Sequence, residues 1–288
     1  MSTPTILYVG AGRVGLPILL RLIAHGLEVY ASDTSADVLA DLRARGVAVH
    51  EPDAISPLAF SRVVLCLPAA DAASALIDAW AEHGLPADTI IADITTMAPE
   101  TARRHAKRIV EAGGSYLDTP VSGGQRGAES GDMVVVASGD RSAFDAMQPI
   151  FRAIGSTVHY AGPAGTASQI KAVNQFVYLS YNLAFAHGLR LGHELGLADS
   201  VVFDMLTKGA AGHPLINDRL PMTIQSGFSE GFVLKRCLKD LDCLELVEGQ
   251  ASAASEAHRR LREAIFEAVA AGMGDLDILA LSRTERGR

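Results

Sequence analysis

The chain has 288 residues, 49% hydrophobic, 20% charged and 6% aromatic, which is the profile of a folded globular protein and long enough for two domains rather than one. Its net charge of −8 argues against a general nucleic-acid or anionic-membrane surface, although a local set of donors can still bind a small anion. No apolar run approaches the roughly 20 residues that span a bilayer. No basic, cleavable segment follows Met1, so the expected location is cytoplasmic.

Residues 5 to 162 alternate β-rich runs with helical patterns. Strands are predicted at Thr5–Val9, Leu27–Ser32, Val63–Leu67, Thr89–Asp93, Ser115–Asp118, Met133–Ala137 and Thr157–Tyr160. Helices are predicted between most of them, for instance at Arg13–Ala24, Ser35–Ala44, Ala69–Trp80 and Pro99–Ala112. That alternation predicts an α/β Rossmann-type, doubly wound and mostly parallel sheet, with the later strands as candidates for antiparallel edges. After Gly165 no convincing strand remains, and helical patterns run over 167–195, 199–208, 214–224, 233–250 and 254–272. The expected organisation is a nucleotide-binding domain over 1–165. An all-α domain for substrate and oligomer contacts follows over 166–288, opening with a long interdomain helix.

The first strand runs directly into Gly10-Ala11-Gly12-Arg13-Val14-Gly15 and an amphipathic helix. Gly10 permits the tight turn, Gly12 lets a pyrophosphate approach the backbone, and Gly15 allows close helix–strand packing. The helix start adds free N–H groups and a positive dipole end for phosphates. Asp33 closes the second strand, where its carboxylate can accept from both adenosine ribose hydroxyls and would repel a 2′-phosphate. Thr34, Ser35 and Ala36 offer no cation to such a phosphate, so NAD is favoured over NADP. Arg13 serves either cofactor or is a solvated loop residue.

Two further strand ends, Leu65-Cys66-Leu67-Pro68 and Asp93-Ile94-Thr95-Thr96-Met97-Ala98-Pro99, fall where ligands bind in such sheets. By pattern alone they are equally well the starts of helices. The loop Asp118-Thr119-Pro120-Val121-Ser122-Gly123-Gly124 offers backbone N–H groups and a hydroxyl to a carboxylate, or is an ordinary glycine-rich turn. On the long predicted helix Lys171, Asn174, Gln175, Tyr178 and Asn182 recur at intervals of three and four. They form a polar stripe that must meet its own members, a partner domain or a ligand. His213, in a glycine-punctuated junction, is a candidate substrate contact or a plain loop histidine. Cys66, Cys237 and Cys243 have no metal-like spacing; Cys66 reads as a small buried apolar residue, and no metal is expected.

Together these motifs resemble the β-hydroxyacid dehydrogenase family, which includes 3-hydroxyisobutyrate dehydrogenase and tartronate semialdehyde reductase. The resemblance runs from about residue 5 to residue 282. It rests on the glycine motif, Cys66-Leu67-Pro68, Asp93–Pro99, Asp118–Gly124, Gly162-Pro163-Ala164-Gly165, Lys171-Ala172-Val173-Asn174-Gln175 and Lys239-Asp240-Leu241. It implies that Lys171 is the catalytic acid/base, that Ser122, Gly123 and Gly124 hold a substrate carboxylate, and that Asn174 helps bind substrate. It further implies that Leu67, Pro68 and Thr96, with Lys239, line the nicotinamide end of the cofactor site. Thr95 stands where many relatives have serine. Gln175 replaces a frequent second asparagine, as in tartronate semialdehyde reductase-like members. Reversible hydride transfer to or from a small 3-hydroxy acid is the implied reaction, in a homodimer or homotetramer. The rivals are an imine reductase-like NAD(P)H enzyme, in which the lysine is usually replaced, and a non-catalytic NAD-binding scaffold.

Overall fold

The computed structural model describes residues 5–51, 59–229, 231–248 and 255–282. The chain divides into two compact units, the first ending at Lys171 and the second beginning at Ala172.

The first unit is built on strands β1 (Ile6–Val9), β2 (Val29–Ser32), β3 (Ala48–Val49), β4 (Arg62–Leu65), β5 (Ile90–Asp93) and β6 (Ser115–Asp118). They run parallel in the order β3-β2-β1-β4-β5-β6. β1 and β5 are buried at every position, as expected of parallel strands covered on both faces. Alternation of side chains splits the core accordingly. Ile6 and Tyr8 pack with Ile18, Leu19, Leu22 and Phe151 on one face. Leu7 and Val9 pack with Val63, Leu65, Ile77 and Trp80 on the other. The covering helices are α1 (Gly15–Ala24), α2 (Ala36–Ala44), α3 (Ala70–Glu82) and α4 (Pro99–Glu111). Helix α2 starts at Ser35, whose hydroxyl accepts from Val38 N, and α4 starts with Pro99 in its first turn.

Beyond β6 come β7 (Val121–Ser122), α5 (Gly124–Ser130), β8 (Val134–Gly139), α6 (Arg141–Ile154) and β9 (Thr157–Tyr160). β8 is antiparallel to both β6 and β7, in one register: Leu117 opposite Gly139, Asp118 opposite Ser138, Val121 opposite Val135 and Ser122 opposite Val134. The bend at Thr119-Pro120 interrupts that ladder without shifting it, and Val136 N still donates to Pro120 O. β9 returns to parallel pairing on β8. The expected antiparallel component is therefore a single step inside the sheet. No strand was expected at Ala48–Val49 or Val121–Ser122, since two residues are too few to show a period. Val63–Leu67 was expected to stay extended through Leu67, but β4 ends at Leu65, and Cys66 is half-buried in the turn that follows.

Helix α7 (Thr166–Glu194), with 29 residues, crosses from the first unit into the second. The second unit holds the rest of it, α8 (Asp199–Lys208), α9 (Pro214–Gln225), α10 (Leu234–Glu248) and α11 (Ser255–Ala268). The expected extensions to 250 and from 254 fall outside the described residues. Leu179, Leu234, Cys237, Leu241, Leu261 and Ile265 form its core. Asp277, fully buried, accepts from Phe232 N and Leu279 N and closes the C-terminal turns over that core.

Candidate active site

The glycine loop is shaped by what lies beneath it. Gly10 has φ +98°, and a Cβ there would stand 2.3 Å from the Cys66 carbonyl oxygen, so neither its conformation nor its surroundings admit a side chain. A Cβ on Gly15 would meet the Gly10 oxygen at 2.1 Å, which brings α1 close against the end of β1. Gly12 differs: it is exposed and a Cβ there would touch nothing within 4 Å. The fold thus does not require glycine at 12, and the open space lies where an approaching phosphate would need it. Val14 gives the first turn of α1 no side-chain cap. Arg13 is exposed and Ala11 is buried.

Asp33 is partly buried beside this loop. Its carboxylate accepts from Ala11 N at 2.8 Å and from Ser35 N at 2.9 Å, joining the glycine loop to the start of α2. Each oxygen keeps a second lone-pair direction for a further donor.

The next two strand ends are tied together. Thr95 is buried, and its hydroxyl accepts from Leu67 N at 3.0 Å, so the turn after β5 supports the turn after β4. Thr96 and Leu67 are half-buried and Pro68 is exposed. Asp93 stands beneath both turns, accepting from Thr95 N at 2.9 Å and from the Tyr116 hydroxyl at 3.1 Å. The Tyr116 ring lies edge-on to His105, whose Nε2 is 2.8 Å from Ser74 Oγ. Burial pushes the Asp93 carboxyl up to about 7 and the His105 imidazole down to about 4. Burial likewise pushes the Cys66 thiol up to about 11, away from thiolate chemistry at neutral pH. Local pattern assigns Asp93 no role beyond a helix-entry acid, and the signal in the sequence is an acid closing an otherwise apolar strand.

Ser122 lies in β7 and Gly123 precedes α5, which Gly124 begins, so the paired glycines are a helix start rather than a free turn. Gly123 has φ +141° and Gly124 +63°, both costly for any residue with a side chain. Ser122 and Gly123 are half-buried and Gly124 is exposed. Lys171 is half-buried on α7, one turn past Ser168, whose backbone N–H and hydroxyl are both bound by Asp118 at the end of β6.

In the second unit the polar stripe divides. Gln175 is buried and donates to Asp240 at 2.5 Å, next to Lys239 on α10. Asn182 donates to Tyr178 O of its own helix, and the Tyr178 ring packs on Phe232. Asn174 is exposed and Lys239 half-buried. His213 is exposed, with its ring 5.3 Å from that of Tyr181. Among the described residues no cluster of three or more His, Cys, Asp or Glu side chains could hold a metal, and no helix is long and apolar enough to cross a membrane.

Two family models match the chain. Residues 5–162 match the NAD binding domain of 6-phosphogluconate dehydrogenase. Residues 165–284 match the model described as NAD-binding of NADP-dependent 3-hydroxyisobutyrate dehydrogenase. The chain is 28% identical over 238 residues to 2-(hydroxymethyl)glutarate dehydrogenase of Eubacterium barkeri, covering 81% of this chain and 79% of that one. It is 27% identical to glyoxylate/succinic semialdehyde reductase 1 of Arabidopsis thaliana, covering 95% and 96%. The solved structure of Mycobacterium tuberculosis 3-hydroxyisobutyrate dehydrogenase with L-serine superposes with a TM-score of 0.82 over 98% of each chain at 24% identity, a likeness of fold.

Proposed function

The chain belongs to the β-hydroxyacid dehydrogenase family of NAD(P)-dependent oxidoreductases, and from that premise we propose that it interconverts a small 3-hydroxy acid and its semialdehyde or keto acid, with NAD as cofactor. The observation that carries this reading is the glycine turn built against Cys66, with Asp33 locked beside it, in the same compact unit as Lys171.

The dinucleotide, when bound, supplies the hydride acceptor or donor. The N–H groups of Gly10–Gly15 and the start of α1 would bind its phosphates. Asp33, oriented in advance by two backbone donors, would accept from the ribose hydroxyls. That arrangement and the lack of a cation at 34–36 support NAD over NADP. Leu67, Pro68 and Thr96 would border the nicotinamide end, with Thr95 holding their turns in place, and Lys239 keeps the role that the resemblance gives it. Ser122 with the backbone of Gly123 and Gly124 would hold the substrate carboxylate, and Asn174 would bind a substrate oxygen. Gln175, committed to Asp240, would act by fixing α10. His213, exposed in its loop, would contact the far end of the substrate.

In oxidation the carbinol C–H bond breaks as hydride leaves, and the hydroxyl proton passes to the neutral amine of Lys171. In reduction the Lys171 ammonium returns that proton to the developing alkoxide. This chemistry needs the lysine, and its retention favours the reading over imine reduction or a scaffold role.

The test measures initial rates with NAD and with NADP over 3-hydroxyisobutyrate, glycerate, L-serine and 3-hydroxypropionate, and in reverse over tartronate semialdehyde and malonate semialdehyde. Lysine-dependent turnover of one acid, lost by a factor of at least about 100 in Lys171→Ala, is the expected result. Equal rates in that variant, or silence across the panel with NADH still bound, would refute it.

The family plan also supports a homo-oligomer. A 29-residue helix spans about 44 Å. Its outward stripe Ile170, Val173, Val177 and Leu191 is 45–60% exposed, an apolar face suited to a second copy of the chain.

A further inference from the structure

We propose that Asp118 is the positioning residue for Lys171, holding the start of α7 in register with the segment that follows β6. The inference rests on the acid/base reading of Lys171.

An α-helix leaves its first N–H groups without intrahelical partners. In α7 two of them are met from the sheet. Ala167 N donates to Ser138 Oγ at 3.1 Å, and Ser168 N donates to Asp118 Oδ2 at 2.8 Å. The Ser168 hydroxyl donates to Asp118 Oδ1 at 2.8 Å, and the Ser138 hydroxyl donates to Asp118 Oδ2 at 3.1 Å. Asp118 and Ser138 are paired across β6 and β8, so the two acceptors present themselves together. Asp118 and Ser138 are fully buried and Ser168 is 2% exposed.

A buried carboxylate is costly unless its hydrogen bonds are made, and here they are made by groups that fix the helix. The negative charge also lies at the positive end of α7. Burial, the largest effect, holds the carboxyl pKa above its ordinary value, and the bonds from Ser168, Ser138 and Gly165 oppose that rise without cancelling it. Lys171 follows Ser168 by three residues, so the height and rotation of the helix at Lys171 are set at Asp118. Ser122 follows Asp118 by four residues, on β7, which keeps the register of β6 against β8. The Asp118 side chain therefore ties the start of the proton-transfer helix to the strand from which the carboxylate-binding segment continues. A misplacement of about 1 Å in such a pair costs on the order of a hundredfold in rate.

The test uses the full chain. NADH affinity is followed by fluorescence, and kcat and KM over the substrate panel named above. Asp118→Ala is expected to lower kcat by about tenfold or more while leaving the NADH Kd within about twofold. Asp118→Asn is expected to restore most of the rate. Its amide oxygen can accept from Ser168 N, and its NH2 can donate to the Ser168 hydroxyl once that hydroxyl reverses. Unchanged kcat in Asp118→Ala overturns the proposal, as does parallel loss of kcat and NADH affinity, which would mark a general structural role. An Asp118→Asn variant as impaired as Asp118→Ala also overturns it. If Asp118→Ala does not fold, the double variant Ser138→Ala with Ser168→Ala decides. Lowered kcat with NADH affinity kept supports the assignment, and wild-type kcat sinks it. Full turnover by Lys171→Ala defeats the lysine reading itself, an outcome separate from any of these. Absence of wild-type turnover across the panel defeats both.

Discussion

Gly10, Gly12 and Gly15 belong to one motif but answer to different constraints. At 10 and 15 an added methyl would run into backbone oxygens of Cys66 and Gly10, atoms that cannot swing aside. Gly10→Ala and Gly15→Ala should each cost about 1–3 kcal/mol of stability, read as a lowered denaturant midpoint. Gly12→Ala should leave that midpoint unchanged and weaken NADH binding, because the space it fills is external to the fold. A Gly12→Ala variant as unstable as the other two would show that the distinction is wrong. Asp93 makes a separate prediction. Its carboxyl is raised from the ordinary 3.8 to about 7, so the folded chain binds a proton that the unfolded chain has released between those values. The stabilisation is present below about pH 4 and is lost as pH rises through 7. The lowered imidazole of His105 acts oppositely, losing stability as pH falls from 6.5 towards 4. A comparison that keeps His105 isolates Asp93: melting temperatures of Asp93→Asn minus wild type should grow from pH 4 to pH 8. A constant difference across that range would remove the assignment.

Helix α7 shows how one element serves two environments. Its polar stripe was legible as a period of three and four, yet the sequence could not say which members would face protein. Gln175 donates to Asp240, Asn182 donates to the Tyr178 carbonyl, and the Tyr178 ring packs on Phe232, whereas the roles of Lys171 and Asn174 rest on the family resemblance. The opposite stripe is apolar and exposed. Val177→Lys, at a position 60% exposed, should leave the chain folded and shift its sedimentation from oligomer towards monomer, since a charge would have to be buried in the contact. Unchanged sedimentation would mean that this stripe is not the contact. β7 illustrates the converse. It has two residues and no readable period, and it exists because β8 offers it the register already set by β6.

At the scale of the molecule, the order of most strands and helices, the glycine loop and the all-α second unit followed from local patterns. β-rich runs of four to six residues predicted the parallel strands, and the glycines at 10, 12 and 15 predicted a phosphate turn, because turn geometry and side-chain periodicity act over a few residues. The family motifs then marked Lys171. What sequence left blank are contacts between residues far apart in the chain. Asp118 binding Ser168 across 50 residues, Thr95 supporting Leu67 across 28, and Gln175 meeting Asp240 across 65 have no local signature. These contacts assign the buried carboxylates their tasks, and they arise only when the sheet has brought distant strand ends side by side. The chain's own sequence thus determined the main strands and helices and the candidate residues for the chemistry. Tertiary structure alone decided how those residues are held, because a buried polar group must take its partner from whatever the fold places within hydrogen-bond reach.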